Sequence, residues 1–238
     1  MASVSRFLIE LRLGPRTLAM AAELVASVAA CCGGGALPLL LIDNHLPYPS
    51  AILQVLGALQ HGRRRGGRGR RKRPRLKPPP GLLAGVVEKV RDAAGRVVRV
   101  RTRALFGRLK DIRRRIVKLG IGRQINTAHI ERLNGTLRGQ QARLARRTRN
   151  GSRLGTALQW ALWLWRDLYN WVRPHAALEG QTPAMAQGLA REVWTVRRYV
   201  RHPVHVDEVQ RRDWAWQRQN LLTSSLDRYL HRKGLPLS

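Results

Sequence analysis

Two carboxylates stand out in a chain that has few. Asp43 ends the apolar run of LLLIDNHLPYPSAI and Glu131 sits in HIERLNGTLR, while the 238 residues hold 45 Lys and Arg against 14 Asp and Glu. Carboxylate oxygens are ligands that a hard divalent cation such as Mg²⁺ prefers. On a helix, Glu131, Asn134 and Arg138 are i, i+3 and i+7, so a carboxylate, an amide and a guanidinium share one face. Ile130, Leu133 and Leu137 then point elsewhere, toward a core. The same spacing also describes a surface ion pair from Glu131 to Arg132 or Arg138, and an Asp at a strand end often caps a loop. Residue type alone leaves both readings open.

The charge names the class of partner. A formal net charge of +31 and an isoelectric point near 11.9 attract polyanions. Nucleic acid comes first, because each Lys or Arg that neutralises a phosphate releases condensed counterions. A membrane surface comes second, and an RNA or ribosomal scaffold third. Residues 61–80, HGRRRGGRGRRKRPRLKPPP, concentrate the charge in Arg63, Arg64, Arg65, Arg68, Arg70, Arg71, Lys72 and Arg73 and carry no apolar periodicity. They read as a loop: either a cationic arm against a phosphate backbone or a solvated linker. Cys31 and Cys32 are sequence neighbours with no His or Cys grouping around them, which excludes a zinc site and suits a reducing cytosol. Glu23 interrupts the segment that could pass for a signal peptide, and no apolar run reaches the ~18 residues of a membrane span.

The elements that would position these residues follow from periodicity. SRFLIELRL, 5–13, mostly alternates and predicts a strand with Phe7, Ile9, Leu11 and Leu13 on one face. Thr17 predicts the cap of a helix through about Cys32, with Leu18, Ala21, Val25, Val28 and Cys32 in its apolar stripe. ALPLLLI, 36–42, predicts a strand buried on both faces, in parallel pairing within an α/β unit, with Asp43 at its carboxyl end, where ligand sites gather. Two Val-rich runs around DAAGR predict a hairpin over 83–107. A helix starting at Asn126 or Thr127 carries Glu131. A second, over 153–172, has apolar residues on nearly all sides and predicts a central core helix, its Trp cluster fitting core packing better than base stacking. RPHAALEGQTPAMAQGL predicts a turn and loop before a short helix, and the tail from Trp194 predicts amphipathic basic helices.

INTAHIERLNGTLR followed by YNWVRPHAALEGQTPAMAQGL closely resembles the C-terminal part of the catalytic core of DDE-type insertion-sequence transposases. RLGPRT, LIDNHLPYPSAI and KPPPGLLAGVV are similar to its middle, so the resemblance spans roughly residues 5–205, with the motifs in the family's order. It implies an α/β, RNase H-like mixed sheet flanked by helices, here with a basic loop plus β-hairpin insertion and a helical C-terminal part. The corresponding organisation is 1–60 for the N-terminal part of the core, 61–80 for the basic linker, 81–120 for the hairpin insertion, 121–193 for the helical part of the core and 194–238 for a basic tail.

The resemblance also implies three carboxylates holding two Mg²⁺ ions for phosphodiester cleavage and strand transfer. Asp43 matches the second acid and Glu131 the third, while Asn134 and Arg138 fall where they would orient Glu131 or hold DNA phosphate. His175 meets DNA or pins the turn, and the turn is the favoured role. The first acid has no counterpart, since residues 1–5 are MASVS and Glu10 lies within the next predicted strand. The expectation is an N-terminally truncated transposase, without a helix-turn-helix for element ends and with impaired catalysis as this chain alone. Its partners would be element-end and target DNA, with room for a homodimer, in the nucleoid-containing cytoplasm and not at a membrane. The alternative is a basic RNA-binding or ribosome-associated protein.

Overall fold

In the computed structural model, residues 1–32, 37–60, 73–144 and 151–202 are described. Thr17 caps α1 (Leu18–Cys31) by accepting a hydrogen bond from the Met20 amide, as its position predicts. The apolar run forms β1 (Leu39–Asp43), and Asp43 is its last residue. Pro47 starts α2 (Pro47–Leu56), where its missing N–H costs nothing. Two short exposed strands, β2 (Ala58–Gln60) and β3 (Arg75–Lys77), pair antiparallel, so the segment read as loop over 61–80 includes a strand at its far end. The predicted hairpin is β4 (Leu83–Arg91) and β5 (Val97–Phe106). These two strands form a mixed sheet with β1 in the order β1–β4–β5, β1 running parallel to β4 and β5 antiparallel. The hairpin expected as an insertion therefore supplies two of this sheet's three strands.

Alternation along β1 divides the core. Leu40 and Ile42 pack toward Ala21 and Val25 of α1 and Ala51 and Ile52 of α2. Leu39 and Leu41 face the other way, onto Ile112 and Ile116 of α3 (Leu109–Lys118) and onto Ile125. The strand is thus covered on both faces, the arrangement its unbroken apolar run predicts. α4 (Ala128–Gln140) and α5 (Gly155–Trp171) build the remaining core through Leu133, Leu137, Leu158 and Leu162.

Two elements differ from the sequence reading. Residues 5–13 form no strand and do not pair with β1. Side chains of α5 satisfy this segment instead: Asn170 holds both the N–H and the C=O of Leu8, and Gln159 holds the C=O of Leu11 and the N–H of Leu13. The buried apolar residue is Leu8, one position off the face that the alternation predicts. α5 itself is not apolar-buried all round. Trp160 and Leu164 are 47% and 50% exposed, so it lies on the flank of the core rather than at its centre.

After α5 the chain makes the predicted turn and a short helix, α6 (Pro183–Ala186), capped by Thr182. A second compact unit begins at Arg197; α7 (Val196–Arg201) opens it, and residues 203–238 lie outside the described residues. Among the described residues no helix is long and apolar enough to cross a membrane.

Candidate nucleic-acid and metal cleft

An open cleft of about 1010 Å³ lies where β1, β4 and α4 come together, and Asp43, Glu131, Asn134 and Arg138 all line it. Register explains the first half of this convergence. Asp43 pairs with Val87 at the carboxyl end of β1, so β4 runs on beyond it and places Lys89 and Arg91 along the cleft wall. Helical periodicity explains the second half. Leu133 and Leu137 anchor α4 in the core, and the opposite face turns Glu131, Asn134 and Arg138 into the cleft.

Glu131 is not idle there. Its Oε1 accepts from Lys89 Nζ at 2.6 Å and from Thr127 Oγ1 at 2.7 Å. Thr127 is the residue before α4, but its hydroxyl is spent on Glu131 rather than on a backbone cap. The hydrogen bond from Lys89, then that from Thr127, holds the Glu131 carboxyl below its usual value, with partial desolvation opposing. A depressed carboxylate contributes stability above the unfolded Glu pKa of about 4.3, and that contribution is lost as pH falls through the lower folded value. At neutral pH Glu131 is ionised and a poor general base. It can serve as a cation ligand or an ion-pair partner.

Asp43 sits in a different setting. Burial raises the Tyr48 phenol pKa, the Asp43 carboxylate raises it further, and Arg16 opposes both. Arg16 also reaches the ring of His45, Nη2 to Nδ1 at 3.4 Å, and both residues line the cleft. Asn44, also in the cleft lining, donates to Glu88 at 3.5 Å and accepts from Arg103 at 3.3 Å. The cleft thus carries Arg16, Lys89, Arg91 and Arg138 against Asp43 and Glu131, a cationic excess even where the acids gather.

Residues 121–183 match the family model described as the integrase core domain. No curated protein and no solved structure matches the chain. The matched span begins before α4 and ends in α6, so it includes Glu131, Asn134, Arg138 and His175. It supports an integrase- or transposase-type domain of RNase H-like fold, with which the mixed sheet and its flanking helices are compatible. Integrase cores act on DNA and generally use divalent metals. Asp43 stands outside the matched span, and its link to Glu131 is the shared cleft.

The donor set bears on the metal. Among the described residues no group of three His, Cys, Asp or Glu side chains is placed to hold an ion. Two carboxylates suit one Mg²⁺ completed by waters and a substrate phosphate. They are too few for a pair of ions, and Lys89 occupies one of them.

The other sequence-derived residues fall elsewhere. Arg63, Arg64, Arg65, Arg68, Arg70, Arg71 and Lys72 lie outside the described residues, and Arg73 is exposed ahead of β3. His175 is not in the cleft. Its ring meets Tyr169 edge-on at 4.5 Å, its backbone bridges Gln181 and Gly180, and its Nε2 is sealed from solvent without a hydrogen-bond partner. This is the geometry of a residue pinning the turn. Lys89, Thr127, Arg16 and Arg91 are cleft residues that sequence reasoning passed over. Lys89 and Arg91 alone had a signal, their place on the Val87 face of an alternating strand.

Burial lowers the His175 pKa first, with a backbone hydrogen bond at Tyr169 opposing and Arg173 and Arg6 adding to the fall. His129, hydrogen-bonded to Arg6, is lowered too, by burial first and then by Arg6 and Arg132. A histidine depressed in the fold takes up its proton more readily when unfolded, so stability is full above about pH 6.5 and declines as pH falls through the folded values. The melting temperature is therefore expected to drop between pH 7.5 and 5.5, and to drop less in His175→Phe, which keeps the ring contact. An identical pH profile for the variant would rule out His175 as a source.

Proposed function

We propose that this chain is a DNA-binding protein of DDE transposase type, in which the cleft between β1, β4 and α4 grips the phosphodiester backbone and metal-dependent cleavage is impaired. The observation that carries this reading is the convergence of Asp43 with Glu131, Asn134 and Arg138 in one cationic cleft, the last three within the span that matches an integrase core. Arg138, Arg16 and Arg91 offer guanidiniums to phosphate oxygens, and the Asn134 amide supports either Glu131 or a phosphate. A Mg²⁺ held by Asp43 and Glu131 would supply Lewis acidity toward a phosphodiester. Impairment follows from the two-carboxylate donor set among the described residues and from the engagement of Glu131 by Lys89. The substrates are the ends and target of a mobile element, and the site of action is the nucleoid, with self-association as a dimer.

The test combines binding and cleavage. Duplex binding is expected to fall steeply with salt and to persist in Asp43→Ala/Glu131→Ala, which removes acids and not cations. Incubation of element-end DNA with Mg²⁺ and this chain alone is expected to give no cleavage above background. Robust cleavage that the double variant abolishes would overturn the impairment, and preference for RNA over duplex DNA would overturn the partner.

A further inference from the structure

The sheet does not end where its support ends. β1 stops at Asp43 opposite Val87, yet β4 and β5 continue paired through Glu88↔Arg101, Lys89↔Val100 and Val90↔Arg99 to Arg91↔Val97. Beyond Asp43 the hairpin is a two-stranded ribbon, and residues 97–101 are exposed without a break. Its tip is tied down. Asp92 Oδ1 accepts from the Arg96 amide at 2.8 Å, the Asp92 amide donates back to the Arg96 carbonyl at 2.9 Å, and Arg91 Nη1 donates to the Gly95 carbonyl at 2.7 Å. Gly95 takes a φ of 78°, a conformation that only glycine adopts cheaply. The ribbon is therefore a preorganised arm rather than a loose loop.

Its charge is distributed on both faces. Arg99 and Arg101, with Arg103 at the ribbon's root opposite Val86, alternate onto one face, and Lys89 and Arg91 line the cleft on the other. Over residues 88–103 there are six Lys and Arg, namely Lys89, Arg91, Arg96, Arg99, Arg101 and Arg103, against Glu88 and Asp92. Among the described residues Arg99 and Arg101 have no ion-pair partner, although Glu88 sits across from Arg101 in register. A sheet lying on a flat anionic surface needs cations on one face. A ribbon cationic on both faces fits between two anionic walls, and the duplex DNA major groove, ~12 Å wide, admits a two-stranded ribbon with phosphates on either side.

We infer that the projecting end of the β4–β5 hairpin is a DNA-gripping arm that enters the major groove of duplex next to the cleft, with Arg99 and Arg101 on the arm, and Arg103 at its root opposite Val86, on the phosphates of one wall. This rests on DNA being the partner, as proposed above. The arm extends the cleft's cationic lining outward, so one duplex meets both.

The experiment compares full-length variants on a 30-bp duplex by fluorescence anisotropy across a salt series. Arg99→Thr/Arg101→Thr/Arg103→Thr removes the charge and keeps strand-favouring residues. The slope of log K against log salt is expected to become shallower by about two to three, at about 0.9 per lost phosphate contact. The matching Arg→Lys triple variant is expected to retain the wild-type slope, which separates charge from misfolding. Arg113→Ala/Arg114→Ala/Lys118→Ala removes the same charge from exposed positions on α3 and is expected to change the slope by less than one. An unchanged slope in the threonine variant, or an equal change in the α3 variant, would overturn the arm. Loss of slope in the lysine variant would overturn it as well. So would an equal effect on double-stranded RNA, whose major groove is too deep and narrow for a ribbon. If wild-type protein fails to bind DNA at all, the proposed function fails, an outcome distinct from binding that ignores the hairpin.

Discussion

Asn170→Ala is expected to destabilise the fold by about 2–4 kcal/mol, measured as a shift in the urea midpoint at constant m-value. Asn170 is 1% exposed, and its side chain replaces a neighbouring strand for Leu8: Oδ1 accepts from the Leu8 amide at 2.9 Å and Nδ2 donates to the Leu8 carbonyl at 3.0 Å. Alanine leaves a buried N–H and a buried C=O unpaired, each costing about 1–3 kcal/mol, and the better helix propensity of Ala returns roughly half a kcal/mol. Leu8 is itself core, packed with Leu133 and Tyr169, so its release would loosen the layer beneath α4. Asn170→Asp should be worse, because it keeps the size while removing the donor and burying a charge. A loss below about 1 kcal/mol for Asn170→Ala would show that water readily replaces these two bonds.

Residue 170 also marks where the sequence misleads. Residues 5–13 alternate, and period two predicts a strand, but alternation does not say what will satisfy the backbone. Here an amide from a helix in the far half of the chain does so, and a strand partner and an Asn–backbone partner leave the same trace in the N-terminal segment. α3 was missed for a different reason. Leu109, Ile112 and Ile116 are spaced for one helical face, but the Arg113–Arg115 run between them masks a short stripe. What was legible had local causes. Thr17 caps α1, the unbroken apolar run makes β1, the paired Val runs make the hairpin, and the i, i+3, i+7 set on α4 lines one cleft. That Asp43 faces the same cleft was expected only through resemblance, since strand and helix meet through packing that neither local sequence encodes. Alternation puts Lys89 on the Val87 face, but its pairing with Glu131 was invisible, because an ion pair between elements has no signature in either one.

Lys89→Met is expected to raise the affinity of the cleft for Mn²⁺ by about tenfold, read by titration calorimetry or by the loss of the free-ion electron paramagnetic resonance signal. The Lys89 ammonium lies 2.6 Å from Glu131 Oε1, where a divalent ion coordinated by that oxygen would also have to sit. An arriving ion must either displace the ammonium or tolerate it. A unit charge about 5 Å from a divalent ion costs on the order of 1–2 kcal/mol even in a water-like dielectric, which corresponds to roughly a factor of ten. Methionine keeps the length and packing of the stem and removes the charge. The gain should vanish in Lys89→Met/Glu131→Gln, because the ion then loses the ligand that Lys89 had been shielding, and the DNA-binding salt slope should fall by about one. Equal Mn²⁺ affinity in wild type and Lys89→Met would mean that Glu131 takes no part in metal binding and that its pairing with the sheet is structural. A tenfold gain would mean that the chain carries a tethered cation on its metal ligand. That cation keeps Glu131 ionised and positioned in the absence of an ion, and it weakens the very site that Glu131 would help to form.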